Sequence, residues 1–311
     1  GKYLMSLLCA PDRVAFSIGN LDIYWYALIV TLGILSALVT VAILASKRKV
    51  SLDFVFELFL WLIVLAIIFC RVFYVVPRIG TVYHLDSWDG FKDAFFNLRN
   101  GGLTIIGGIF GGVLGIICCC LRNKEYSIAR TCDLVVIGLL LGQIIGRWGN
   151  YCNQELYGKL ITDQSMQWFP FAVYIDYCSE CGHGGYHNAL FFYEGLLNAL
   201  GFIICLVMYS KRMDKKKPFS IALFYLFWYG IVRGSLEFLK EDHVTIGNSG
   251  IGAVQVICYC MSAITLIINV LYLSGVINFA FLDKMKKREN PSLTDDYNVC
   301  DGCYILEDKE D

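Results

Sequence analysis

Seven long apolar runs, separated by short polar stretches, set the pattern of this chain. They fall at roughly 21–46, 54–77, 102–121, 133–149, 189–210, 219–238 and 251–279. A spanning helix needs about 20 apolar residues, and each run meets or approaches that length. The fourth does so only if its helix continues past Arg147. The first run is longer than a signal-peptide core of about 7–15 residues and has no basic segment directly before it, so it reads as a retained span. The pattern predicts an all-α integral membrane protein with seven transmembrane helices.

Composition agrees. Charged residues make up 17% of the chain and hydrophobic residues 57%, whereas a soluble domain carries about 25% charged residues. The net charge of −1 by itself says nothing about nucleic acid, and no nucleic-acid partner is expected. Where the charges fall is more informative. Lys47, Arg48 and Lys49 follow the first span, Arg122, Lys124 and Arg130 separate the third from the fourth, Lys211 to Lys217 separate the fifth from the sixth, and Lys284 to Arg288 follow the last. The opposite loops are poorer in Lys and Arg. The positive-inside rule then places the N-terminus outside and the C-terminus in the cytoplasm. Residues 1–20 form an extracytoplasmic segment and 21–279 the membrane domain, with an extracytoplasmic head from the loop at 150–188. The acidic tail over 280–311 is expected to be disordered.

With orientation assigned, the polar residues collect on one side. Tyr26 starts span 1, Arg71 lies late in span 2, Arg147 ends span 4, Glu194 lies early in span 5, Arg233 and Glu237 close span 6, and Gln255 begins span 7. A lone arginine near a helix end can snorkel to the headgroups. Three of them in one layer with Glu155, Glu194 and Glu237 point instead to a hydrated, anion-binding cavity, because unpaired charge in a bilayer costs about 2.5–3.5 kcal/mol per residue. Arg233 and Glu237 are spaced i,i+4 and can simply neutralise each other. Arg147 has no such partner on its own helix, and the glycines of GRWGN around it predict a helix that stops or breaks there, freeing backbone N–H groups for an anion.

GGLTIIGGIFGGVLG (101–115) holds seven glycines. Gly107, Gly111 and Gly115 recur every four residues, as do Gly108 and Gly112, which is the spacing of close helix packing in lipid. A phosphate loop would need a Gly-Lys-Ser/Thr ending, and there is none. Of the fourteen cysteines, Cys118, Cys119 and Cys120 read as small apolar fillers. The pairs Cys178/Cys181 and Cys300/Cys303 fall on opposite sides of the membrane and cannot share a zinc ion. Cys178 and Cys181 alone allow a local disulfide or a weak metal site. His84, His183, His187 and His243 are scattered, so no metal and no cofactor is expected.

GRWGNYCNQELYG (146–158) resembles the hallmark motif of the prolipoprotein diacylglyceryl transferase family, G-R-x-G-N-x-x-N-x-E-x-x-G, with Arg147, Gly149, Asn150, Asn153, Glu155 and Gly158 matching. FSIGNLDIYWYALIV is similar to the family's first span, with Tyr26 at its tyrosine. NGGLTIIGG resembles the third, YEGLLN the fifth and YGIVRGSLEFLKED the sixth, where Arg233 and Glu237 match. The resemblance covers about residues 14–275. It implies an enzyme of the bacterial plasma membrane that moves the diacylglyceryl group of phosphatidylglycerol to the lipobox cysteine of a prolipoprotein and releases glycerol phosphate, at a site facing the outer leaflet. It implies catalytic roles for Arg147, Arg233, Tyr26, Glu155 and Glu237, the two glutamates orienting the arginines. Arg147, Asn150, Asn153, Gly158, Arg233, Arg71 and Gln255 would bind the lipid. Two positions depart from the family: Ile106 stands where its third span commonly has a histidine, and the fifth-span motif has His187 displaced by one residue with no proline. A catalytically silent homologue that binds phospholipid or lipoprotein is therefore the alternative. A seven-span transporter is disfavoured, because no polar path continues to the cytoplasmic side.

Overall fold

The structure is a computed structural model that describes residues 12–19, 21–83, 87–97, 102–176, 184–240 and 252–283. It consists of long helices: α1 Trp25–Lys47, α2 Leu52–Val75, the short α3 Trp88–Phe96, α4 Ile105–Arg122, α5 Ile128–Cys152, α6 Leu190–Ser210, the single turn α7 Met213–Lys216, α8 Ser220–Leu236 and α9 Ala253–Leu273. Seven of them, all but α3 and α7, are long and apolar enough to cross a membrane. Two small antiparallel hairpins are added, β1 Val14–Ile18 with β2 Leu21–Tyr24 and β3 Ala172–Ile175 with β4 Gly185–Asn188.

The first hairpin shortens the first expected span. Residues 21–24 pair with 14–18 rather than entering the helix, and the register sets Ser17 opposite Asp22, where the Ser17 hydroxyl donates to Oδ1 at 2.6 Å. Gly19 makes the turn with φ +61°, a backbone angle that glycine adopts without strain. The helix then starts at Trp25, whose N–H donates to the Arg13 carbonyl at 3.1 Å.

The chain forms two compact units, Gly1–Val41 with Asp133–Phe279, and Ala42–Cys132 with Ala280–Asp311. In the second unit α4 lies tightly on α2. A Cβ on Gly107 or Gly111 would overlap the carbonyls of Phe69 and Leu65, and one on Gly115 would come within 3.1 Å of the Trp61 carbonyl. Gly112 faces open space, so of the two glycine rows only the first is needed throughout for helix approach. Thr104 caps α4 by accepting the Gly107 N–H at 3.4 Å. Cys119 and Cys120 are buried in this unit.

The tail departs from the expected disorder at its start. Ala280–Leu282 forms a 3-10 turn, and Asp283 receives Arg130 Nε at 3.0 Å and the Ser127 hydroxyl at 2.6 Å. Arg130 is 1% exposed, and a buried cation needs a counter-charge. The remainder of the tail, with Cys300 and Cys303, lies outside the described residues, as do Cys178, Cys181, His84, His183 and His243.

In the first unit α1 and α5 approach through Gly33 and Gly142: a Cβ on Gly33 would sit 3.0 Å from the Gly142 carbonyl. α8 is tied to α5 at its start, where the Asp133 carboxylate accepts the N–H groups of Phe219 and Ala222, both at 2.8 Å. This tie sets the starts of α5 and α8 side by side.

Candidate active site

The helix of α5 does not break at Arg147. It runs unbroken from Ile128 to Cys152, so the expected set of free N–H groups at GRWGN is absent. Continuity has a different consequence. Gln143, Arg147 and Asn150 are spaced by four and three residues and so share one face. Gln143 Nε2 donates to the Tyr225 hydroxyl at 2.8 Å. Arg147 Nη1 donates to Asn150 Oδ1 at 3.3 Å, and Nη2 makes a short ion pair with Glu194 Oε1 of α6.

α8 and the 3-10 turn Glu237–Leu239 that continues it supply a second row, Tyr225, Tyr229, Arg233 and Glu237, each four residues from the last. Arg233 Nη2 lies 3.1 Å from Glu237 Oε2, the i,i+4 pair anticipated from the sequence. The Tyr229 hydroxyl is within electrostatic reach of Glu194, Arg233 and Arg147, so both arginines lie near one tyrosine. The side chains of Arg147 and Arg233 are 21% and 19% exposed, against 1% for Glu194 and 4% for Glu237. In each pair the carboxylate is the more deeply buried partner. Burying such pairs costs several kcal/mol of desolvation per ion, which makes them poor devices for stability alone.

The match to known proteins spans this whole arrangement. A family model described as prolipoprotein diacylglyceryl transferase matches residues 13–271. The chain belongs to the prolipoprotein diacylglyceryl transferase family. Among similar proteins, phosphatidylglycerol–prolipoprotein diacylglyceryl transferase 1 of Clostridium perfringens is 33% identical over 241 residues, covering 76% of this chain and 86% of that protein. The transferase of Finegoldia magna is 33% identical over 236 residues, with the same coverage of 76% and 86%. That of Listeria innocua is 30% identical over 266 residues, 83% of this chain and 89% of its own length. The protein is thus a multi-pass membrane transferase.

The other candidate residues of the transferase take varied places. Tyr26 begins α1 with its ring against α5: a Cβ on Gly149 would stand 3.1 Å from Tyr26 Cδ2. The glycine of GRWGN admits the tyrosine beside the Arg147 helix. Glu155 does not orient Arg147. It is exposed and accepts the Asn153 side-chain N–H at 3.4 Å, because the chain leaves the helix after Cys152 and carries both residues past the cluster. Glu194, placed in the polar layer from sequence but given no role there, is the carboxylate paired with Arg147. Its signal was present, since it lies in the matching fifth-span segment, but no spacing rule links residues 147 and 194.

Gly158 sits where backbones meet. Its N–H donates to the Asn188 carbonyl at 2.9 Å, and any Cβ there would overlap the Leu239 carbonyl. Gln255, buried at 7% exposure, donates to the Gly234 carbonyl at 3.4 Å and joins α9 to α8 one residue after Arg233. Arg71 lies in the second unit with its donors spent on backbone. Nε reaches the Ala94 carbonyl at 2.7 Å, Nη1 the Gly102 carbonyl at 3.1 Å and Nη2 the Asp93 carbonyl at 3.3 Å. These bonds tie Arg71 to α3 and to the segment leading into α4.

The segment after α5 folds back as a small head. Gln154, with φ +53°, accepts the Asp176 N–H at 2.8 Å and also donates to that carboxylate. Val173, Ile175, Ala189 and Phe191 form its core, with Tyr151, Tyr157, Phe169 and Phe192 packed against them. Trp148 meets Phe191 edge-on at 5.6 Å. His187 is fully buried, its Nδ1 2.8 Å from the Gly158 carbonyl, which marks it as part of the head's framework. Further out, the Ser165 hydroxyl and N–H hold the exposed Asp163 carboxyl below its usual range.

Proposed function

We propose that this transferase moves the diacylglyceryl group of phosphatidylglycerol onto the lipobox cysteine of an exported prolipoprotein and releases glycerol phosphate, at the outer leaflet of a bacterial plasma membrane. One observation carries the reading: Arg147 and Arg233 both lie within electrostatic reach of Tyr229, each paired with a buried glutamate and itself only partly buried. The names of the relatives supply the substrates.

The chemistry suits those residues. The cysteine sulfur attacks the glyceryl carbon next to the phosphate, the carbon–oxygen bond breaks, and its electron pair leaves on the phosphate oxygen. The departing group gains a full negative charge. Fixed cations aimed at that oxygen stabilise the transition state more than the ground state, an effect worth about 10²–10³ in rate per donor. Arg147 and Arg233 are the cations. Asn150 steadies Arg147, Glu237 steadies Arg233, and Tyr26 flanks the site from α1 as a hydrogen-bonding group for the headgroup. The basic loops place the N-terminus and the head outside, on the side where exported prolipoproteins arrive.

The test is direct. Purified protein is incubated with phosphatidylglycerol labelled in its acyl chains and with a lipobox peptide. Thioether-linked lipid on the peptide is expected, and Arg147→Ala should abolish it; full activity in that variant would remove Arg147 from its role. The second reading, a silent homologue, is favoured by Ile106, an aliphatic side chain 70% exposed on α4 that can exchange no proton. Lipid binding without any thioether product would establish it.

A further inference from the structure

Four polar atoms around Arg147 are buried without a hydrogen-bond partner among the described residues: Arg147 Nε, Glu194 Oε2, Asn198 Nδ2 and Gln143 Oε1. Each such atom costs about 1–3 kcal/mol when left unpaired, and unsatisfied groups that persist in a native fold call for an explanation. The set holds two donors and two acceptors, on α5 and α6. Glu194 stands out because it is 1% exposed and only its Oε1 is engaged, by the one arginine proposed to leave it for a phosphate.

We infer that Glu194 is the proton acceptor for the attacking thiol and that substrate binding releases it for the task. The inference rests on the function proposed above. In the resting site Arg147 neutralises Glu194. When the lipid's phosphate arrives, it competes for the same guanidinium. A buried carboxylate that has yielded its counter-cation is too costly to leave charged and is neutralised by taking up a proton. The cysteine S–H is the source: its proton passes to a Glu194 oxygen while the sulfur electron pair forms the carbon–sulfur bond. The carbon–oxygen bond breaks and its pair remains on the phosphate. The proton on Glu194 is then delivered to the departing phosphate, the carboxylate recovers Arg147, and charge and atoms balance over the cycle. The same exchange gives order to the reaction, since the base is available only once the phosphate is held.

The experiment compares the wild-type protein with Glu194→Gln, using phosphatidylglycerol vesicles and two lipobox peptides. One carries cysteine and the other selenocysteine, whose selenol is already ionised at neutral pH. With the cysteine peptide the variant should lose about a hundredfold in rate at pH 7, the usual worth of a general base. The deficit should shrink by about tenfold per pH unit as the solution approaches the thiol's own ionisation near about pH 8.5. With the selenocysteine peptide the variant should approach the wild type. A role confined to propping Arg147 predicts an equal loss with both peptides at every pH, and either that result or an undiminished thiol rate overturns the inference. Should the variant fail to fold, the wild type serves: its acidic rate limb with the thiol must vanish with the selenol, and persistence of the limb overturns the inference equally. Wild-type protein that forms no thioether at all contradicts the proposed function itself, a separate outcome.

Discussion

Gln143 of α5 donates to the Tyr225 hydroxyl of α8 at 2.8 Å, one helical turn from Arg147. The bond fixes the rotation of the two helices whose rows carry Arg147 and Arg233. Gln143→Leu and Tyr225→Phe should each lower stability, and the double variant should show coupling of about 0.5–1.5 kcal/mol, the net worth of one such hydrogen bond. Thermal melts in detergent measure the cycle; strict additivity would show that the bond carries no energy.

The Arg147–Glu194 pair should separate stability from function. Removing one partner of a buried ion pair costs about 3–5 kcal/mol, whereas replacing both by apolar groups is often neutral. Arg147→Ala is therefore expected to melt early. Arg147→Met combined with Glu194→Leu should recover most of the melting temperature and still form no product. Melting temperature and thioether yield, measured on the same preparations, check this.

Glycine substitutions on α4 should divide by face. Gly111→Ala pushes a methyl group into the Leu65 carbonyl, and overpacking of this kind costs about 1–3 kcal/mol. Gly112→Ala enters open space and removes a poor helix former, a gain of up to about 1 kcal/mol. Opposite shifts in melting temperature are expected; equal shifts would remove packing as the reason for the repeat.

Asp133 should act as a cap for α8 supplied by another helix. Asp133→Ala deprives the Phe219 and Ala222 N–H groups of their acceptor, and loss of a cap costs about 0.5–2 kcal/mol. Hydrogen exchange should quicken at the amides of 219–223 and stay unchanged near Arg233. Uniform acceleration along α8 would point to wholesale loosening.

The proposed orientation is tested by sided labelling. Ser165→Cys, in the head, should react with a membrane-impermeant maleimide applied from outside, and Lys124→Cys should not. The reverse pattern would invert the topology.

Seven spans were legible along the chain because crossing a membrane leaves a long, contiguous apolar record that needs no partner to interpret. The Arg233–Glu237 pair was legible for a similar reason, since i,i+4 spacing makes neighbours on any helix. The family match rested on a motif contiguous over residues 146–158. Other relationships have no local record. GRWGN looked like a break because glycine is a poor helix former in isolation, yet the helix runs through it with Tyr26 packed on Gly149. The family resemblance implied that Glu155 orients Arg147, but the turn after Cys152 takes it to the surface, and the carboxylate at Arg147 is Glu194 of the next helix. Arg71 looked like a third phosphate ligand until its donors were found on the backbone of 93, 94 and 102. Periodicity along one chain decides what is helical and which residues share a face. Which charge answers which depends on how separate helices turn toward one another, and that is set by tertiary packing.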